Sequence, residues 1–146
     1  MRIPHFCIYF ALLLGVLLPN DFAFANQKPS SNNYQARLRC YVSYADKTEI
    51  IETFPHASAY EVIPTDIGGR FTFKAVMIGE ALDVRHISLY AYFQAMPKDL
   101  PIHQAIYRGP FKLSRNSKLI TPYNHLYAGE VERELKYHCE LSKVKK

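Results

Sequence analysis

The sequence predicts an all-β fold, an antiparallel β-sandwich of seven or eight strands. Three observations carry this expectation. Several segments alternate apolar and polar residues with period two. Pro and Gly punctuate the intervals between them. Two cysteines fall on the apolar faces of the first and last such segments.

The first segment, QARLRCYVSY at 35–44, sets the pattern. Ala36, Leu38, Cys40, Val42 and Tyr44 share one face, and Gln35, Arg37, Arg39, Tyr41 and Ser43 share the other. Asp46-Lys47 reads as a turn into a second strand over 48–54, which Pro55 ends. A short strand is expected over 59–63, before Pro64, and Asp66, Gly68 and Gly69 mark a turn. Over 71–78, Phe71, Phe73, Ala75 and Met77 form one face. The other face runs Thr72, Lys74, Val76, Ile78 and turns apolar toward its end, as in a central strand covered on both sides there. In VRHISLYAYFQAM, Ile87, Leu89, Ala91 and Phe93 oppose His86, Ser88, Tyr90, Tyr92 and Gln94. Pro97 and Pro101 bracket a loop, short strands are expected over 104–108 and 111–114, and 118–129 carries no clear pattern.

The last segment, VERELKYHCEL, is rich in helix formers, so the two periodicities must be compared. As a strand it places Val131, Leu135, Tyr137, Cys139 and Leu141 on one face, with Glu132, Glu134, Lys136, His138 and Glu140 on the other. A helix would scatter Tyr137 and Leu141 off the stripe formed by Val131, Leu135 and Cys139, so a strand is expected. The architecture is then immunoglobulin-like or a related sandwich, with a closed barrel as the alternative. The likeness is architectural only, because the chain has no Trp and hence no Cys…Trp…Cys signature.

Residues 1–25 read as a cleaved signal peptide. Arg2 precedes an apolar run from Ile8 to Leu18, Pro19-Asn20 breaks it, and Ala23-Phe24-Ala25 offers small residues for cleavage. The run is far shorter than the roughly 20 residues a membrane span requires. Cys7 lies ahead of it and cannot become a lipidated amino terminus. A periplasmic or secreted protein is expected. The mature chain would comprise a flexible polar leader at 26–33, a single domain at 34–142 and a basic tail at 143–146. Its remaining cysteines, Cys40 and Cys139, are expected to form a structural disulfide, worth on the order of 4–5 kcal/mol in the chain-entropy model. A redox role would call for a C-x-x-C motif, which is missing.

Motifs of catalysis are missing as well. There is no G-x-S-x-G and no H-E-x-x-H, and Gly68-Gly69 lacks the phosphate-loop spacing. The protein is therefore read as non-catalytic and without a cofactor. The net charge of +5 suits anionic partners or plain solubility, and nucleic acid is not expected for an exported chain. A binding role follows, for a protein or a cell-envelope component. Its candidate residues are the basic and aromatic groups of two polar strand faces: Arg37, Arg39 and Tyr41, and His86, Tyr90 and Tyr92. The competing reading of Tyr90 and Tyr92 is a second packed face of a central sheet. The alternative function is binding or delivery of copper or zinc through His86, His103, Met77 and Met96, although no two of these stand at a close ligand spacing. His138 next to Cys139 looks like a site, but neighbours on a strand face opposite ways, which leaves His138 on the charged outer face.

Overall fold

The computed structural model describes residues 33–146. The segment read as a signal peptide, and all of the polar leader but its last residue, lie outside them. Ten strands form two sheets: β1 (Tyr34–Tyr44), β2 (Lys47–Thr53), β3 (Pro55–His56), β4 (Thr65–Ile67), β5 (Phe71–Glu80), β6 (Asp83–Phe93), β7 (Leu100–Arg108), β8 (Lys118–Leu119), β9 (Asn124–Ala128) and β10 (Arg133–Lys145). The first sheet has the order β2-β1-β10-β8, with β9 also paired to β10. The second has the order β3-β5-β6-β7, with β4 also paired to β5. All pairings are antiparallel except the short β3–β5 contact.

The alternation read from the sequence sets which side chains meet between the sheets. Leu38, Cys40 and Val42 of β1 and Leu135, Tyr137 and Cys139 of β10 pack against Phe71, Phe73, Met77, Ile87 and Leu89 in one buried cluster. Phe73 and Tyr137 meet ring to ring across the layers, with centroids 5.0 Å apart. On β5 the expected double coverage is present: Val76 and Ile78 are buried on the opposite face, outside that cluster. β10 is a strand despite its helix formers, because burying four consecutive odd positions outweighs local propensities of under 1 kcal/mol each.

The ends of several elements differ from the sequence expectation. The first hairpin turns at Ala45-Asp46, both with positive φ, one residue earlier than expected; Tyr44 pairs with Lys47 around it. Pro55 does not simply end a strand. It begins β3, by which the chain leaves the first sheet for the second. The segment expected as a strand over 59–63 contains instead a 3-10 turn at Ala59–Glu61. Ser58 caps it by accepting a hydrogen bond from the Tyr60 amide. Pro101 lies inside β7, an edge strand where a missing amide is tolerated, and 111–114 forms no strand. β10 continues past residue 142. Lys143, Val144 and Lys145 pair with Ala36, Gln35 and Tyr34, so they belong to the sheet rather than to a basic tail.

Candidate functional site

The two cysteines form a disulfide, and its placement follows from register. Cys40 and Cys139 are directly opposite one another on β1 and β10, with Cα atoms 4.0 Å apart and both side chains fully buried. The bridge joins the first and last strands as expected, but within one sheet. It is not the link between sheets found in immunoglobulin domains.

The six candidate binding residues separate into two groups. Arg37, Arg39 and Tyr41 point outward from β1, while His86, Tyr90 and Tyr92 point outward from β6, on the far side of the sandwich. On the β6 side, Tyr90 is flanked across the strands by Lys74 and Gln104, and Tyr92 by Thr72. Both tyrosines are half-buried, and among the described residues no other ring stacks on either. Ser88, between His86 and Tyr90 on that face, and Val76 opposite it are buried.

The β1 side is more organised. Register places His138 of β10 opposite Tyr41, and the two rings stack with centroids 4.9 Å apart and planes within 14°. From the other side of β10, Tyr123, the residue before β9, closes on His138 at 4.4 Å. A row of three rings, Tyr41, His138 and Tyr123, thus runs across the strands. Beside it lies a groove of about 280 Å³, to which Ser43, Lys136, Asn124 and His125 also contribute. One register step to the other side, Arg39 donates to Glu52 Oε1 through Nε at 2.7 Å, and Arg37 Nη1 lies 3.5 Å from the same oxygen. The carboxylate raises the Arg39 guanidinium above its usual range, chiefly through that hydrogen bond.

A second carboxylate, Glu134, engages two of the residues that line the groove, His125 and Lys136. Glu134 Oε1 lies 2.7 Å from His125 Nδ1 and accepts from Tyr127 Oη at 2.8 Å, and Lys136 Nζ is 3.5 Å from Oε2. Those hydrogen bonds, first that of His125 and then that of Tyr127, hold the Glu134 carboxyl down to about 2. The same contact pushes the Tyr127 phenol up. Tyr123, His125, Tyr127 and Glu134 were not singled out from the sequence. His138, which the sequence places on the charged outer face, is the centre of the row. The signal that could have found it is the expected antiparallel bridge at 40 and 139, which places 41 opposite 138 once those strands are adjacent.

The four residues considered for metal do not converge. Met77 is fully buried in the core, and Met96 is 95% exposed after β6. His86 points outward from β6, whereas His103 of β7 points inward and bonds Tyr137. Among the described residues, no group of three or more His, Cys, Asp or Glu side chains is placed to hold an ion. A wider cleft of about 500 Å³ lies between Glu80, Asp83, Arg85 and Lys146, and none of the residues lining it is aromatic.

Among the described residues, no helix is long and apolar enough to cross a membrane. Comparison with protein-family models, with curated proteins and with solved structures finds no match to this chain.

Proposed function

We propose that this is an exported, non-catalytic β-sandwich protein that binds a protein or cell-envelope component through the outward face of the first sheet. The observation that supports this most is the Tyr41–His138–Tyr123 row with its adjoining groove. Aromatic rings held rigid by their neighbours supply contact area at low entropic cost, and aromatic and Arg side chains are the usual anchors of binding surfaces. The buried disulfide supports export, because such bridges persist in oxidising compartments.

The test is capture from a cell-envelope extract by the wild-type protein and by a Tyr41→Ala/Tyr123→Ala variant. The proposal expects a partner retained by the wild type and lost by the variant. Recovery of the same material by both, or of nothing specific by either, contradicts it.

A further inference from the structure

We infer that the groove beside His138 receives a pyranose ring of an uncharged glycan lying across the strands, an inference that rests on the outward face of the first sheet being the binding face. A sugar ring has an apolar C–H face and a rim of hydroxyls. Its site therefore needs an aromatic surface with hydrogen-bonding groups around it, rather than a deep apolar hole. Tyr123 supplies the surface: one side of its ring rests on His138, and the residue is still 67% exposed. The hydrogen-bonding rim is partly unspent. Asn124 uses its amide nitrogen on the Pro122 carbonyl, which leaves its side-chain oxygen as an acceptor. His125 uses Nδ1 on Glu134, leaving Nε2. Lys136 stands on the same groove, and the Ser43 hydroxyl, bonded to Thr48 Oγ1 at 2.8 Å, has capacity for a further hydrogen bond there.

Charge decides against an anionic ligand. Arg37 and Arg39 are both turned to Glu52, and Lys136 and His125 both face Glu134. Among the described residues, no cluster of free cations remains at the groove to bind a phosphate or a polyanion. The volume, about 280 Å³, is at the small end of ligand clefts, which suits one ring of a longer chain better than a whole compact ligand. The stacked rings turn their inner faces to one another, so the face open to a sugar is the outer one of Tyr123, and further units of the chain run on from there across the sheet.

The experiment is an NMR titration of the isotope-labelled, disulfide-bonded protein with cellotetraose and, separately, with the tetramer of β-1,4-linked N-acetylglucosamine. The expected result is saturable shifts of the Tyr41, Tyr123 and His138 ring signals with at least one of them. Tyr123→Ala should weaken that affinity by about tenfold or more, while Tyr92→Ala on the opposite face leaves it unchanged. Dispersed amide spectra of both variants would show that each remains folded. No saturable shift with either sugar, or equal affinity in Tyr123→Ala, overturns the inference. If the sugars fail while Tyr41→Ala/Tyr123→Ala still abolishes capture from the envelope extract, the glycan assignment alone falls. If capture is also indifferent to those substitutions, the binding face falls with it.

Discussion

His103 Nε2 on β7 lies 2.7 Å from Tyr137 Oη on β10, a hydrogen bond that ties the two sheets together through the core. Tyr137 is almost completely buried, and burial pushes its phenol well above the usual range while holding His103 below it. Replacing Tyr137 with Phe leaves the His103 nitrogen without its partner and should cost about 1–3 kcal/mol in denaturant unfolding. The pH dependence has a definite sign. A histidine depressed in the folded state takes up its proton first in the unfolded chain, so stability is highest above about 6.5, the ordinary histidine value. It falls as pH drops from there to the folded-state value of His103, then levels off. His103→Gln should remove this part of the profile.

Glu134 titrates in the folded protein at about 2, against an ordinary value of 4.5. A lowered carboxyl contributes stability that is present above 4.5 and is lost as pH falls toward 2. Carboxyl NMR should show the low midpoint directly. His125→Gln together with Tyr127→Phe, which removes the two largest causes, should return the midpoint toward the ordinary value. An unchanged midpoint would mean that those hydrogen bonds are not formed in solution.

The Cys40–Cys139 bridge closes a loop with a sequence separation of 99. Loop-closure entropy in the unfolded chain gives an upper value of about 4.7 kcal/mol for such a loop. Measured losses for native bridges in small exported domains are roughly 2–5 kcal/mol, and the double Cys40→Ser/Cys139→Ser variant should fall in that range by urea unfolding. Antiparallel pairing of β1 with β10 on both sides of the bridge favours retention of the fold in that variant.

Gly79 sits where the β5–β6 register shifts, and a Cβ built there would collide with the backbone oxygen of Asp83. Backbone cannot step aside as a side-chain tip can. Gly79→Ala should therefore destabilise by about 1–3 kcal/mol through displacement of the hairpin, visible as a lowered unfolding midpoint. Gly69→Ala, with open space around the Cβ, tests a different cost, that of a side chain at positive φ alone.

Period-two alternation made the sandwich legible. At Leu38, Phe73, Leu89 and Tyr137 a single apolar face told which side chains would be buried. What escaped lies where no such pattern operates. The 3-10 turn at Ala59–Glu61 depends on the Ser58 cap, in the connection between β3 and β4 of the second sheet, and the short strands β8 and β9 form where β10 offers an edge to pair with. Half of the candidate site was visible as Arg37, Arg39 and Tyr41. The other half needs pairing to assemble it: His138 meets Tyr41 through strands nearly a hundred residues apart, while Tyr123 and the Glu134 cluster come from the β9–β10 hairpin, whose first strand lies in the segment without a clear pattern. The outward faces of β1 and β6 looked equivalent in sequence, and only the topology sends them to opposite sides.

The measurement that bears most directly on the account is site-specific photo-crosslinking in a cell-envelope extract, with a photoreactive residue placed at position 123 in one protein and at position 92 in another. Both positions carry tyrosine in the natural chain and face outward, one from each side of the sandwich. The expected result is a discrete crosslinked product from position 123, suppressed by excess unmodified protein, and none from position 92. A product from position 92 alone, or none from position 123, would contradict it.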